Sequence, residues 1–313
     1  MFDCAIEVKN LTKKFGNFVS VNNISFNVKK GEIFGFLGAN GAGKSTTIRM
    51  LCGILGPTSG TACVGGYDVK KNPDKVKESI GYMSQKFSLY EDLTVLENIN
   101  FFGGIYGLSK KKIKEREEWL IETAGLQEEK NRLAGELPSG WKQRLALGCA
   151  MLHNPLIIFL DEPTGGVDPV SRRNFWGLIQ NLSDSGVTIF VTTHYLDEAE
   201  YCHSVALLHL GNLVASDSIE KLKTDYVKSD VWEVECEKVV EAMDIMNNHP
   251  LVEETTIFGT TFHLQVKENV FSSDDIKKIL NQNKIKVERI EKITPSLEDV
   301  FVYLIQKFHL ENE

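Results

Sequence analysis

Long apolar runs are what this 313-residue sequence most clearly lacks. No uncharged apolar stretch approaches the roughly 18 residues that a membrane-spanning helix needs, and the longest, such as residues 155–160, are strand-sized. No signal-peptide pattern occurs at the N-terminus, where residues 1–4 lead directly into a strand-like segment. These absences predict a cytoplasmic chain that contributes no membrane span of its own.

Clustered cysteines are missing as well. The six cysteines are scattered and form no CxxC pair, a usage typical of reduced and mostly buried thiols. A chain of this length can bury enough surface to fold without disulfides or a structural metal. Apolar residues make up 42 % and charged residues 25 % of the chain, which excludes disordered, collagen-like and coiled-coil classes.

The chain also has no basic excess, since its formal net charge is −8. Residues 1–215 carry 23 basic and 23 acidic side chains, whereas residues 216–313 carry 12 basic and 20 acidic ones. Nucleic-acid binding requires clustered Lys and Arg, so no nucleic-acid partner is expected. The change in composition predicts a domain boundary between residues 215 and 216.

The first 215 residues alternate strand-like and helix-like stretches. Residues 33–37, 156–160 and 187–192 are continuous apolar runs, which suit parallel strands covered on both faces. Residues 5–8 and 24–28 instead alternate apolar with polar positions, as antiparallel edge strands do. The pattern predicts an α/β fold built on a mixed sheet.

Helical patterns replace strands in the middle of this first part. Thr94 and Glu97 form a capping box that opens a helix, and a Lys/Glu-rich helix follows from Ser109. A third helix ends before residues 154–155, an Asn-Pro pair. We expect a helical subdomain, about residues 86–153, inserted into the α/β core.

The last third of the chain has its own order of elements. Its apolar patterns predict strand, helix, strand, strand, helix and strand between residues 231 and 290, followed by a final helix that opens at residues 294–296. This order is that of a ferredoxin-like domain, and another small α+β domain is the alternative. Residues 216–313 are therefore expected to form an accessory, regulatory α+β domain.

A glycine-rich loop carries the strongest chemical signal. Residues 38–45 fit the pattern GxxxxGK[ST] of a P-loop (Walker A), after a predicted strand and before a predicted helix. Backbone N–H groups of such a loop surround phosphates, the lysine reaches the β- and γ-phosphates, and the hydroxyl ligates Mg²⁺. The predicted nucleotide-binding residues here are Gly38, Asn40, Gly41, Ala42, Gly43, Lys44, Ser45 and Thr46.

Two carboxylates follow the apolar strand at residues 156–160. In a chain with a P-loop, an aspartate at a strand end such as Asp161 can hold Mg²⁺. The next carboxylate, Glu162, is placed to act as general base on an attacking water.

With these motifs the chain resembles the nucleotide-binding (ATPase) subunit of an ABC transporter, over almost all of residues 1–215. Gln85, His194 and Asp168 match the glutamine loop, the switch histidine and the D-loop of that family. Phe15 matches the aromatic residue that stacks on adenine. The resemblance implies ATP and Mg²⁺ as ligands, with His194 on the γ-phosphate and Gln85 sensing the metal and the lytic water.

Three of these residues have an ordinary alternative when taken singly. Gln85 could be a surface loop residue, and His194 and Phe15 could belong to the core. Their shared order and spacing with the P-loop favour the family interpretation.

One family motif departs from its usual form. Where the family signature reads LSGGQ, this chain has Leu-Pro-Ser-Gly-Trp at residues 137–141. Ser139 is the only hydroxyl in this loop, so we expect it to replace the usual serine, next to Gly140. The resemblance implies that the signature residues Ser139 and Gly140 of one chain complete the ATP site of a second chain, and that Asp168 shapes the interface between the two.

The resemblance also implies partners and a direction of transport. Residues 294–301 and 137–144 are similar to bacterial drug- and sodium-efflux exporters. We therefore expect a peripheral ATPase on the inner face of the cell membrane, paired as a homodimer and coupled to a separately encoded permease. An aromatic cluster after Gln85, which includes Phe87, Tyr90 and Phe101, is expected either to receive a permease helix or to pack within the helical subdomain. The alternative function is a soluble ABC-type ATPase that drives assembly or regulation without a membrane partner.

Overall fold

The computed structural model describes residues 4–86 and 88–312. The chain divides into two compact units between Ser216 and Asp217. Each unit has its own hydrophobic core.

Two sheets carry the strands of the first unit. The first sheet has the order β2-β1-β4-β5, with antiparallel pairs throughout, and consists of β1 (Cys4–Phe15), β2 (Phe18–Lys29), β4 (Ser59–Val64) and β5 (Tyr67–Asp68). The second has the order β10-β9-β3-β8-β7-β6 and consists of β3 (Ile33–Gly38), β6 (Ile80–Met83), β7 (Ile157–Asp161), β8 (Thr188–Thr193), β9 (Ser204–His209) and β10 (Asn212–Ser218). The predicted α/β fold is confirmed, with an antiparallel sheet and a second sheet that contains the parallel pairs, rather than a single mixed sheet.

Strands β3, β7 and β8 form the centre of the second sheet. All of their residues are buried, as continuous apolar runs predict for strands covered on both faces. The pairs β3–β8, β3–β9, β7–β8 and β6–β7 are parallel. Because parallel strands end at the same edge of a sheet, the loops that follow β3, β6, β7 and β8 converge there.

Helices lie between these strands in sequence. They are α1 (Lys44–Leu51), α2 (Pro73–Ser79), α3 (Val95–Ile105), α4 (Lys110–Ala124), a 3₁₀ turn (Ala134–Glu136), α5 (Ser139–Ala150), α6 (Pro169–Asp184) and α7 (Leu196–Ala199). Helices α3, α4 and α5 pack around a separate core that includes Ile99, Leu120 and Leu145. The predicted helical insertion into the α/β core is thereby confirmed.

The capping box at the start of α3 forms as predicted. The backbone N–H of Glu97 donates to Thr94 Oγ1 over 3.2 Å, and the N–H of Thr94 donates to Glu97 Oε2 over 2.8 Å. Both contacts satisfy N–H groups that the first helical turn leaves without partners.

The second unit begins with α8 (Ile219–Asp225). Its sheet and helices are β11 (Ser229–Cys236), α9 (Val239–Asn247), β12 (Val252–Phe258), β13 (Thr261–Lys267), α10 (Ser273–Gln282) and β14 (Val287–Ile293), followed by α11 (Leu297–Asn312). The strand order is β12-β13-β11-β14, and every recorded pair is antiparallel. This is the ferredoxin-like arrangement that the pattern predicts.

The start of the last helix differs from the prediction. Residues 294–296 precede α11 instead of forming its first turn, because Ser296 Oγ caps the helix by accepting from the N–H of Asp299 over 3.1 Å. Among the described residues, no helix combines the length and apolar character needed to cross a bilayer.

Candidate functional site

The P-loop connects β3 to α1 at the converging edge of the second sheet. Gly43 precedes α1 with a φ of 107°, and a Cβ atom built there would lie 2.5 Å from the carbonyl oxygen of Ser20. Only glycine fits this position, because a side chain would meet both the left-handed backbone and this close approach. No side chain caps the start of α1, so its first N–H groups are available to an anion.

Lys44, the first residue of α1, turns its charge back into this loop. Its side chain is 4 % exposed, and Nζ donates to the carbonyl oxygens of Gly38 (2.7 Å) and Ala39 (3.3 Å). Nζ also lies 3.1 Å from Glu162 Oε1. The loop therefore holds one buried cation whose counter-charge comes from the loop after β7.

Ser45 and Asp161 form the oxygen-rich side of the site. Ser45 Oγ donates to Asp161 Oδ1 over 3.2 Å, and Thr192 Oγ1 on β8 donates to the same oxygen over 2.8 Å. Asp161 is 5 % exposed. Mg²⁺ is bound in proteins through one or two carboxylate or hydroxyl oxygens plus phosphate and water. The oxygen atoms of Ser45 and Asp161 fit this set of ligands.

Glu162 occupies a strained position directly after β7. Its φ of 48° lies in the left-handed region, which is uncommon for a residue with a side chain. Its N–H donates to both the carbonyl oxygen (3.1 Å) and the hydroxyl oxygen (3.0 Å) of Thr192, which holds the backbone in place. This conformation directs the carboxylate over the P-loop rather than along the sheet.

The carboxylate of Glu162 contacts three other predicted site residues. Besides Lys44, it contacts Gln85, whose Nε2 donates to Oε2 over 3.2 Å, and His194, whose Nδ1 lies 3.3 Å from Oε2. The Glu162 side chain is 12 % exposed. A carboxylate so placed can accept a proton from a water that enters the loop region. The amide of Gln85 thus contacts the predicted base, whereas Ser45 and Asp161 contact each other.

A cleft of about 520 Å³ opens above these residues. Nine of the predicted site residues line it, namely Asn40, Gly41, Gly43, Lys44, Ser45, Thr46, Gln85, Glu162 and His194. Two further lining residues, Phe18 and Ser20, have no predicted role, and Ser20 Oγ donates to Thr46 Oγ1 over 2.9 Å. Strand β2 brings them to the loop from a different sheet, so no local motif could have identified them. Gly38 and Ala42 belong to the loop without lining the cleft.

The predicted adenine contact, Phe15, lies just outside this lining. Phe15 is 49 % exposed, and Lys13 Nζ lies 5.1 Å from its ring centroid. Its partner across the β1–β2 hairpin is Phe18, which does line the cleft and is 63 % exposed. Two exposed aromatic rings therefore mark this end of the hairpin.

The chain is similar to known families in both of its parts. A family model described as "ABC transporter" matches residues 21–165, and one described as "ATP-binding protein DrrA1-3-like, C-terminal domain" matches residues 218–305. The bacitracin transport ATP-binding protein BcrA of Bacillus licheniformis is 35 % identical over 302 residues, covering 96 % of this chain and 97 % of that protein.

The chain belongs to the family of ABC transporter ATP-binding subunits.

Further relatives support this family and its fold. The probable multidrug ABC transporter ATP-binding protein YbhF of Escherichia coli (strain K12) is 52 % identical over 221 residues, which is 71 % of this ABC subunit but only 38 % of YbhF. The chain therefore matches well under half of that relative's length. A dimeric ATP-binding cassette, solved in a post-hydrolysis state with ADP and Pi, is 27 % identical with a TM-score of 0.62, covering 68 % of this chain and 98 % of that one. The predicted family and fold class are confirmed.

Three predicted residues of the ABC subunit lie away from the cleft in its own chain. Ser139 is the exposed first residue of α5, and Gly140 is buried where an added Cβ would lie 2.5 Å from Ser171 Oγ. Asp168 caps α6, and its Oδ1 accepts from the N–H groups of Val170 (3.1 Å) and Ser171 (2.9 Å). Hydrogen bonds from Ser171 hold the pKa of Asp168 below its usual range. The signature loop and the D-loop are thus neighbours of each other and not of Lys44.

The aromatic cluster after Gln85 is only partly described. Phe87 lies outside the described residues. Tyr90 and Phe101 are 48 % and 39 % exposed, and their ring centroids lie 4.5 Å apart. The exposed rings form a small apolar surface on the helical part of the ABC subunit.

Proposed function

We propose that this chain binds and hydrolyses ATP and thereby powers export of a substrate through a separately encoded transmembrane permease. The observation that carries the proposal is the placement of the Glu162 carboxylate, within 3.3 Å of Lys44, Gln85 and His194 above a phosphate-binding loop. The transport names of its relatives, which include bacitracin transport and multidrug ABC transporter proteins, support the coupling to a permease.

Nucleotide binding would begin at the P-loop. The N–H groups at the start of α1 and the ammonium of Lys44 would hold the β- and γ-phosphates. Because Lys44 already pairs with Glu162, the phosphates would compete for Lys44 and release the carboxylate toward the incoming water. Phe15 is the proposed adenine contact, with Phe18 opposite it at the mouth of the cleft.

Magnesium would be held by Ser45 and Asp161, and Gln85, which follows β6, would sense it. When bound, the ion neutralises charge on the phosphates and orients them for transfer. Thr192 keeps Asp161 Oδ1 in place through its 2.8 Å hydrogen bond.

Hydrolysis would proceed by attack of a water on the γ-phosphate. Glu162 would take the proton of that water, while Gln85 would orient the water and His194 would contact the γ-phosphate. Gln85 and His194 both approach Glu162 Oε2, so one carboxylate oxygen is oriented while Oε1 faces Lys44.

A head-to-tail pair of two chains would complete each site. Ser139, Gly140 and Asp168 lie outside the cleft of their own chain, which leaves them available to a second copy. The N-terminus of α5 would supply N–H groups, and Ser139 a hydroxyl, to the γ-phosphate bound across the interface. ATP would close the pair, and hydrolysis would release it.

Residues 1–215 would then form the ATPase domain, with the helical subdomain at about 86–153, and residues 216–313 an accessory, regulatory domain. We place the pair on the inner face of the cell membrane, bound to its permease through the helical subdomain.

The test uses the Glu162→Gln protein, which keeps the shape of the side chain and loses the base. The tagged protein is incubated with detergent-solubilised membranes, with and without ATP. It is then recovered by its tag, and the proteins that co-purify are identified by mass spectrometry. We expect an ATP-dependent homodimer together with a polytopic membrane protein in about equal amount, and hydrolysis reduced about 100-fold or more. Glu136→Gln, at an exposed glutamate of the same chain, is the control.

Two outcomes would contradict parts of the proposal. Recovery of soluble partners alone would favour the assembly or regulatory ATPase. Hydrolysis at the parent rate by Glu162→Gln would remove the assigned base.

A further inference from the structure

A fully buried carboxylate lies behind the catalytic residues. Glu198, on the short helix α7, has 0 % exposure and lies four residues after His194. Its Oε1 accepts from Thr164 Oγ1 over 2.5 Å, and its Oε2 accepts from Thr193 Oγ1 over 2.6 Å. One oxygen of the carboxylate is thus bonded to the loop after β7, and the other to the end of β8.

These two segments are the ones that carry the proposed chemistry. Thr164 lies two residues after Glu162, and Thr193 directly precedes His194. The carboxylate therefore bridges the loop of the base to the loop of the histidine, whose side chains meet at 3.3 Å. Thr193 Oγ1 also accepts from the N–H of Tyr195 over 3.0 Å, which holds the turn around His194.

A third element joins the same group. Arg172 Nε on α6 lies 3.5 Å from Glu198 Oε1. The Arg172 guanidinium lies 4.5 Å from the ring centroid of Tyr195, which is next to His194. Arg172 lies in the first turns of α6, the helix that Asp168 caps, so Glu198 also contacts the helix that follows the D-loop.

The free-energy cost of burying the Glu198 carboxylate indicates that Glu198 serves to position other residues. A buried carboxylate is costly unless hydrogen bonds and a counter-charge compensate it, and an apolar residue would fill the same space at lower cost. Glu198 has that compensation from two hydroxyl groups and one guanidinium. A bonded group of this kind specifies the distance between its partners, because displacing either loop leaves a buried charge without a partner.

We propose that Glu198 is a positioning residue for hydrolysis, holding Glu162 and His194 at their working separation by bonding Thr164 and Thr193. The inference rests on the proposed ATP hydrolysis. Glu198 does not line the nucleotide cleft, and its recorded hydrogen bonds include neither Lys44 nor Ser45. It therefore acts on turnover and not on nucleotide binding.

The test measures kcat and KM for ATP in Thr164→Val and Thr193→Val. Each change keeps the size of the side chain and removes one hydrogen bond to Glu198. Thr193→Val also removes the acceptor of the Tyr195 N–H, so Thr164→Val is the more specific of the two. We expect kcat to fall about tenfold in each variant, since small displacements of reacting groups have effects of at least this size. The KM for ATP and the affinity for a non-hydrolysable ATP analogue should stay unchanged.

Thr188→Val is the matched control. Thr188 begins the same strand, β8, that Thr193 ends, and it is 2 % exposed. Its hydroxyl oxygen accepts from the N–H of Gly31 over 3.0 Å, at the end of the strand away from the cleft. We expect this variant to lose thermal stability as the other two do, and to keep the parent kcat.

A double-mutant cycle isolates the contribution of the hydrogen bond between Thr164 and Glu198 to kcat. Glu198→Gln and Thr164→Val remove parts of one unit, so their combined effect on kcat should be clearly smaller than the product of the single effects. Unchanged kcat in both threonine variants, or multiplicative effects in the cycle, would overturn the role of Glu198. If Glu198→Gln does not fold, the two threonine variants still decide the question.

The parent and Glu162→Gln proteins separate the two proposals. Equal hydrolysis by these two proteins would refute the assigned base and with it the proposed function. A fast parent and an inactive Glu162→Gln, together with fully active threonine variants, would refute Glu198 positioning alone.

Discussion

The ammonium of Lys44 and the carboxylate of Glu162 form a nearly buried ion pair, 3.1 Å long, with side chains 4 % and 12 % exposed. The P-loop cation is thus balanced by the residue that we assign as the base. To bind at the P-loop, the ATP phosphates must displace the Glu162 carboxylate from the Lys44 ammonium. They then lie close to that carboxylate, which carries the same sign of charge. The Glu162 carboxylate is therefore expected to weaken nucleotide binding while it is required for hydrolysis.

The first prediction follows from this competition. Glu162→Gln should bind a non-hydrolysable ATP analogue about tenfold more tightly than the parent, because the competing charge is gone while Lys44 remains. Isothermal titration calorimetry at fixed salt measures the two dissociation constants. Glu91→Gln, which changes an exposed carboxylate paired with Lys142 away from the P-loop, should leave affinity unchanged. Weaker binding by Glu162→Gln would contradict the competition.

The second prediction concerns the altered signature. Ser139→Ala should slow ATP hydrolysis and weaken ATP-dependent pairing about tenfold or more, because one hydroxyl bond to a charged phosphate is lost. Sedimentation of the protein in the Glu162→Gln background, with ATP, measures pairing without turnover. Ser185→Ala, at an exposed serine following α6, is the control. Unchanged hydrolysis and pairing would show that Ser139 does not replace the usual serine.

The third prediction concerns His153, whose ring stacks on Tyr106 at 3.9 Å and whose Nε2 donates to the carbonyl oxygen of Ile80 over 3.0 Å. Burial lowers the pKa of His153 below its usual value, an effect to which the Arg116 charge adds. The unfolded chain therefore binds a proton at pH values where folded His153 stays neutral. The free energy of unfolding should fall as pH drops below about 6.5 and level off below the folded pKa.

His153→Gln tests this directly, since its amide can still donate to Ile80. We expect the melting temperature of the parent to fall between pH 7.5 and 5, by about 2 °C more than that of the variant. Thermal unfolding followed by circular dichroism at several pH values gives both slopes. Parallel slopes would exclude His153 as the titrating group.

The fourth prediction concerns the second unit. His263 Nδ1 donates to Asp299 at 2.9 Å, and the two side chains are 8 % and 4 % exposed. Asp299 Oδ2 also accepts from the N–H of Ser296 over 2.7 Å, at the start of α11. The pair thus fastens the last helix to strand β13.

His263→Phe should destabilise this unit by about 1–3 kcal/mol, because the buried Asp299 carboxylate loses the hydrogen bond from His263 Nδ1 and keeps only those from Ser296 among its recorded side-chain and cap contacts. Urea unfolding measures the loss, and limited proteolysis should release α11 earlier than in the parent. The exposed pair of Lys286 and Glu237 lies in the same unit, and Lys286→Gln should cost less than about 1 kcal/mol. Equal losses in the two variants would contradict the role of the buried pair.

Local signals made much of the fold predictable. The P-loop and the Thr94–Glu97 capping box depend on residues at most seven positions apart, and both form where the sequence places them. Continuous apolar runs predicted the fully buried strands β3, β7 and β8 for the same reason. Elements without a strong local pattern, such as α2 and β5, were not predicted.

The partners of the site residues were not predictable in this way. Thr192, which holds Asp161 and the backbone of Glu162, is an ordinary strand residue in the sequence. Phe18 and Ser20 reach the cleft from the antiparallel sheet, and Phe15, their neighbour in sequence, does not line it. Strand pairing between segments that are distant in the sequence determines which of these residues reach the cleft.

Short-range spacing and the periodicity of apolar residues were enough to predict the family, the phosphate loop, the three central parallel strands and the order of elements from residue 231 onward. That Lys44, Gln85 and His194 contact one carboxylate, and that Glu198 bonds the segments next to it, follows from the folded chain alone. The contact of His263 with Asp299 does so as well. The physical reason is that parallel strands bring their carboxyl ends to one edge of a sheet, and burial then makes each charged group depend on partners far away in the chain.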